Sequence, residues 1–238
     1  MGSRKRICFV VASPRSAQSF LKDHIKALSN DYDVYMAANF EGYQDLDIDG
    51  LSGKHHVPIM RGISIANDLK AVGNLRKYFR KMKFDAVHSV TPKAGLVTAL
   101  AARMSGIKHR MHTFTGQVWA TRQGISRLLL KNIDRIIAKA DNRILVDGES
   151  QRKFLIAEGV VSREKSRVLG AGSICGANTS RFTPMTSVRE EQRSKLGITP
   201  DKVVFSFMGR LNREKGIYEL LQAFNELLKS SPNAYLLL

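Results

Sequence analysis

Short apolar runs keep alternating along this chain with stretches whose apolar residues step by three and four, and that alternation constrains the fold more than any other feature. Residues 5–12 are nearly continuous apolar sequence, as in a strand buried on both faces. Phe20, Leu21, Ile25 and Leu28 then follow helical spacing, and residues 33–38 read as a second strand. Residues 55–60 form a third, weaker strand, and Ile65, Leu69, Val72, Leu75, Phe79 and Met82 lie on one face of a helix. Strands are expected at 84–90, 109–114, 143–146 and 166–169, with helices at 93–104, 125–139 and 150–158 between them. This order implies βαβ units and a parallel sheet covered on both faces, which places the chain in the α/β class.

The pattern pauses at residues 170–184, GAGSICGANTSRFTP, where Gly, Ser, Thr and Asn suit a linker. A short helix at 189–196, a buried strand at 202–208, a helix at 215–229 and a strand at 234–238 then begin a second unit. A single βαβ unit cannot cover its own sheet, so this second unit reads as incomplete.

With 43% hydrophobic residues in 238, the chain has material for packed cores and is not a disordered polymer. The 38 Lys and Arg against 21 Asp and Glu give a net charge of +17, which calls for an anionic partner. Cys8 and Cys175 stand far apart, outside any CxxC spacing, which argues against a disulfide scaffold or a zinc site and fits a reducing compartment. No apolar run approaches the ~20 residues that span a bilayer. The start, MGSRKRICFVVAS, reads as a first strand rather than a signal peptide, and Arg6 stands where a myristoylation signal requires Ser or Thr.

Four motifs carry candidate chemistry. GRLNREKG, residues 209–216, lies between a buried strand and an amphipathic helix, where parallel α/β proteins bind phosphate. Gly209 permits a tight turn, while Arg210, Arg213 and Lys215 add cations where the helix dipole already disfavours them. A bound anion removes that conflict; a solvated basic turn is the other reading, and both stay open on physics alone. In TPKAG, residues 91–95, Thr91 suits an N-cap, Pro92 the first helical position, and Lys93 is again a cation against the dipole. RMHTFTG, residues 110–116, places His112 at a strand end, and His88 closes the preceding strand. Arg127, Lys131, Arg135 and Lys139 recur every four residues on one helix face, and Arg76, Lys77, Arg80, Lys81 and Lys83 crowd an earlier helix, which suits either an anionic membrane or a solvated face.

GRL-x-x-EKG followed by ELL-x-AF resembles the donor-phosphate loop of retaining GT-B glycosyltransferases of glycosyltransferase family 4. The resemblance extends over RSKLGITPDKVVFSFMGRLNREKGIYELLQAF, HSVTPKAGLVTALAARMSGIKHRMHTFTG and GAGSICGANTSRFTP, and the last two resemble the subgroup acting on polyprenyl-linked saccharides in bacterial surface-polysaccharide assembly. It implies a GT-B architecture: an acceptor-side Rossmann-like domain with crossover at 1–180, then the first βαβ unit of a nucleotide-sugar domain at 181–238. By that resemblance Gly209, Arg210 and Lys215 hold the donor diphosphate, His112 is catalytic beside the donor sugar, and Lys93 and His88 lie on the acceptor side. Some family members carry the histidine three residues later, at the position of Thr115. Asn178 and Arg181 fall in the crossover.

The same resemblance implies a nucleotide-sugar donor, a polyprenyl-diphosphate-linked saccharide acceptor, no metal and no other cofactor. The place of work is the cytoplasmic face of an anionic cell membrane. The carboxylate motif Glu-x7-Glu that the family uses for the nucleotide ribose is not found in these residues, so the polypeptide is expected to be carboxyl-terminally truncated and to have little or no transferase activity alone. Where members carry glycine after the first strand, this chain has SPRSAQ, with Ser13, Arg15 and Ser16 in its place.

A pI near 10.1 admits two rivals: a nucleic-acid binder and a non-catalytic membrane-associated partner. The first lacks an RNP-type aromatic strand, a helix-turn-helix or a basic tail. DLDIDG, residues 45–50, imitates the start of an EF-hand loop or a metal-binding DxD, but His56 occupies the twelfth position and no strong helix precedes it, so it reads as a solvated turn. Cys8, inside a core strand, reads as inert.

Overall fold

The computed structural model describes residues 4–43, 46–60, 62 and 64–238, and the chain forms two compact units, Met1–Gly176 and Ala177–Leu238. The first unit is built from β1 (Arg6–Val10), α1 (Pro14–Phe20), α2 (Lys22–Leu28), β2 (Asp33–Ala38), β3 (Leu51–His56), α3 (Ile65–Met82), β4 (Ala86–Val90), α4 (Pro92–Met104), β5 (His109–Phe114), α5 (Gly124–Ala140), β6 (Arg143–Val146), α6 (Glu149–Ala157) and β7 (Ser166–Arg167). The seven strands form one sheet in the order β3-β2-β1-β4-β5-β6-β7, and every pairing is parallel. This is the α/β architecture that the alternation predicts.

Both faces of the sheet centre are buried, as a parallel sheet requires. Phe9 of β1 and Val11 just past it, with Val34 and Met36 of β2, pack on Ala17 of α1, Ile25 of α2 and Leu21 between them. On the other face Cys8, Val10 and Val87 meet Val72, Leu75 and Phe79 of α3 and Ala94, Val97 and Ala101 of α4. A third cluster joins Phe114, Ile144 and Val146 to Ile137 of α5, Leu155 of α6 and Trp119 of the β5–α5 loop. Leu21, buried and expected inside one helix, instead marks the break between two short ones.

Sequence and structure part at β3. The apolar residues Val57 and Ile59 suggest a strand at 55–60, yet the hydrogen-bonded strand is Leu51–His56 and those two residues are buried just past its end. An edge strand is selected by its neighbour's backbone more than by its own apolar content, and Gly53 here lies against the ring of Tyr35 on β2. β7 is likewise only two residues long, with Leu169 beyond it and 58% exposed.

The second unit holds α7 (Thr186–Lys195), β8 (Val203–Ser206), a 3-10 turn (Arg213–Lys215), α8 (Ile217–Ser230) and β9 (Ala234–Leu237), with β8 and β9 paired in parallel as a βαβ unit. Among its described apolar residues only Ile198, Ile217 and Ala234 are buried, each still 6–8% exposed. The chain contains no helix, among the described residues, long and apolar enough to cross a membrane.

Candidate functional site

From β1 the chain runs outward to β2 and β3, while β4 lies on the other flank and leads to β5, β6 and β7. The order therefore reverses between β1 and β4, and α/β sheets bind ligands outside the carboxyl ends of their strands at such a switch point. A cavity of about 630 Å³ opens there. Its wall takes Ala12, Ser13 and Ser16 from beyond β1, Thr91, Pro92 and Lys93 from beyond β4, and Trp119, Leu130, Ile133 and Asp134 from the β5–α5 side.

Thr91 is the N-cap of α4 and Pro92 its first residue, as the motif predicts, but the Thr91 hydroxyl makes no capping bond and is buried without a partner. Its φ of +81° is rare for a β-branched residue, and such strain concentrates where a ligand or switch needs the backbone held. Ser13 is 9% exposed, and its Oγ is also buried and unpartnered. Two hydroxyls thus approach the mouth of α4, whose first-turn N–H groups have no partners within the helix.

Lys93 does not project freely into water. Its Nζ lies 2.6 Å from Asp68 Oδ2 and donates to the Gly62 carbonyl at 2.9 Å. Asp68, in the first turn of α3, balances the cation that α4's dipole disfavours. Opposite them, Asp134 is 3% exposed and accepts a hydrogen bond from Trp119 Nε1 at 2.7 Å. Burial pushes its pKa up to about 6, with the indole hydrogen bond acting in the other direction.

His112 occupies β5 but is fully buried, so its ring does not stand exposed where a donor sugar is expected. Nδ1 lies 2.8 Å from Ser89 Oγ, and Nε2 has no partner. Burial drives its pKa down to about 3, with His88 adding to the effect and the Ser89 contact opposing it. Gly95 of α4 makes room for the ring: a Cβ there would fall 2.5 Å from His112 Cε1. Thr115, just past β5, is exposed instead.

His88 pairs in register with Met111, one position out of step with the Ser89–His112 pair, so it faces the opposite side of the sheet. There its Nε2 lies 2.7 Å from Thr113 Oγ1, in a separate cavity of about 230 Å³ with His24 and Asp147. The structure therefore does not bring His88 to Lys93. Burial, followed by His24, lowers its pKa to about 4.

In the second unit Arg210 and Lys215 are exposed around the turn that precedes α8. Among the described residues neither side chain, nor that of Arg213, has a hydrogen-bond or ion-pair partner. Asn212 Oδ1 in the same turn is buried and unpartnered. Gly209 does not have a positive φ and lies against the Phe207 ring; Gly216, with φ +74°, makes the left-handed turn into α8.

Three of the four cations in the basic stripe of α5 are also not free; Lys139 is exposed. Arg127 and Lys131 both pair with Glu158, at 2.9 and 2.5 Å, and lie over the Trp119 ring. Arg135 donates to the carbonyls of Glu158 and Gly159. Asp49 of the acidic turn pairs with Lys26, and Asp45 lies outside the described residues. No cluster of three metal-ligating side chains occurs among the described residues.

A profile described as Glycosyl transferase 4-like domain matches residues 22–172. The chain is 31% identical, over 77% of its length and 48% of the relative's, to the Staphylococcus aureus capsular polysaccharide biosynthesis glycosyltransferase CapM. It is 25% identical, over 73% of its length and 44% of the relative's, to an Escherichia coli enzyme named as a UDP-Gal:alpha-D-GlcNAc-diphosphoundecaprenol alpha-1,3-galactosyltransferase. It spans about half the length of these curated relatives. Sucrose-phosphate synthase from Thermosynechococcus elongatus shares its fold with a TM-score of 0.74 over 98% of this chain and 61% of that one, at 17% identity. Anabaena HepE, solved with UDP and glucose, does so at 0.70 over 97% and 59%, at 15% identity. These neighbours carry the GT-B fold. With the profile covering more than half of its residues, from α2 to the segment that follows β7, the chain belongs to the glycosyl transferase 4-like domain family.

Proposed function

We propose that these residues serve a retaining glycosyltransferase that moves a sugar from a nucleotide donor to a polyprenyl-diphosphate-linked saccharide in cell-envelope polysaccharide synthesis. The observation that carries this reading is the unpartnered set Arg210, Arg213 and Lys215, at the carboxyl end of a parallel strand and ahead of α8. Cations without carboxylate partners, beside the free N–H groups of a helix start, fit a diphosphate.

Arg210 and Lys215 hold the donor diphosphate and stabilise the charge that develops on it as the sugar departs. The acceptor hydroxyl attacks on the leaving-group face, and the donor phosphate takes its proton, so neither a protein nucleophile nor a metal is required. The switch-point cavity receives the acceptor, with its diphosphate near Lys93, Ser13, Thr91 and the first turn of α4. His112, wholly buried, acts as a positioning residue that fixes the ends of β4 and β5 through Ser89. His88 supports the opposite face rather than touching the acceptor. The site of action is the cytoplasmic face of an anionic membrane, and the 238 residues alone transfer little or no sugar.

Calorimetric titration of the 238-residue chain with UDP and with pyrophosphate tests the donor site. Arg210→Ala and Lys215→Ala are each expected to weaken both ligands by about tenfold, the order of one charge-assisted contact, with uridine unaffected. Variants that bind both ligands like the parent would overturn the assignment.

A further inference from the structure

α5 presents three faces. Leu130, Ile133 and Ile137 turn inward, and Arg127, Lys131 and Arg135 engage the α6–β7 turn. The third face carries Ile125, Leu128, Leu129 and Ile136, which fall within about 60° of one helical direction, with the exposed Asn132 between them. They are 77, 55, 60 and 46% exposed. A run of large aliphatic side chains left in water along one helix marks an interaction surface.

Leu130, Ile133 and Asp134 of the same helix line the switch-point cavity. Val118 and Ile65 line that cavity and are themselves 57 and 76% exposed, so its rim is apolar as well.

Charge selects the partner. Between Asp85 and Asp141 the only carboxylate is Asp134, which is buried; of the nine lysines and arginines there, Lys93, Arg127 and Lys131 pair with Asp68 and Glu158, and the other six have no carboxylate partner among the described residues. Lys139 falls on the stripe's own face, and Arg122 is exposed just before the helix. A second copy of this chain would bring the same cations face to face, whereas an anionic lipid surface accepts both the aliphatic side chains and the cations around them.

We infer that the outer face of α5, Ile125, Leu128, Leu129 and Ile136, is inserted into the interfacial layer of an anionic membrane, so that the switch-point cavity opens at the lipid surface. This rests on the membrane-linked acceptor proposed above and names the surface that meets it. Of the basic stripe read from spacing, Arg127 and Lys131 are taken up by Glu158; its apolar neighbour makes the contact.

Co-sedimentation of the full chain with vesicles of roughly equal parts phosphatidylglycerol and phosphatidylcholine tests this, with phosphatidylcholine vesicles as the uncharged arm. Leu128→Glu with Leu129→Glu is compared with Phe182→Glu and Met185→Glu, exposed residues of the second unit that receive the same added charge. Both pairs are checked for parental circular dichroism. The expected result is parental binding to the anionic vesicles, about tenfold or greater loss for the α5 pair, and at most about a threefold change for the control pair. Parental binding by the α5 pair, or equal loss by the control pair, overturns the inference while leaving membrane association standing. A parent that binds neither vesicle overturns the membrane reading itself. A parental dimer that the α5 pair dissolves, with vesicle binding unchanged, assigns the stripe to a second copy and overturns the inference.

Discussion

Asp134 is a carboxyl group in a wall otherwise built from Leu130, Ile133 and Trp119. Its pKa is raised from an ordinary 3.8 to about 6, so the folded chain keeps a proton that the unfolded chain has lost. Stability drawn from this group is therefore full below pH 4 and falls as pH rises through 6. Asp134→Asn removes the titration and keeps an oxygen for the indole N–H. Its stability relative to the parent is expected to grow between pH 5 and pH 8 by about 1.4 kcal/mol, nearly all of it below pH 7, read from urea unfolding at each pH. A constant difference across that range would show that the carboxyl group titrates normally. Local spacing gives no sign that residue 134 is buried or that Trp119, 15 residues earlier, is its partner. The burial of His112 was equally hidden, because a strand-end histidine facing a ligand and one nested under a helix have the same local sequence. Only Gly95, on another element, tells them apart.

At the scale of elements, α4 meets β5 through that glycine. A methyl at position 95 would fall 2.5 and 2.8 Å from His112 Cε1 and Nδ1 and 3.0 Å from Ile137 Cδ1. The imidazole is held by Ser89, so it cannot swing aside, and α4 must lift. Gly95→Ala is expected to cost about 1–3 kcal/mol, although alanine favours helix, because overpacking outweighs propensity. Chemical denaturation measures it, and a variant as stable as the parent would show that α4 has slack. Helix spacing made α3, α4 and α5 legible almost to their ends, since each has a buried face of period 3.6. What spacing could not supply is the partner of each cation. Glu158 lies 27 residues from Lys131 and Asp68 lies 25 from Lys93, and both lysines are bound rather than free. β3 escaped for a related reason: its place comes from β2's backbone, not from its own side chains.

For the whole molecule, two units of unequal burial should not unfold together. The second unit has three buried apolar residues, whereas the first has three extended clusters. Urea is expected to remove the far-ultraviolet signal of α7 and α8 before it changes Trp119 fluorescence, so that the two curves do not superimpose. Coincident curves would mean that the units unfold as one. The parallel α/β class was readable from strand–helix alternation, while the reversal between β1 and β4, which creates the cavity, depends on pairings between distant segments. The chain has one tryptophan, and it stands in the wall of that cavity beside a carboxyl group and beneath two cations. The protein therefore carries its own optical probe: an occupant of the crevice alters the indole's surroundings and hence its emission, with no dye attached.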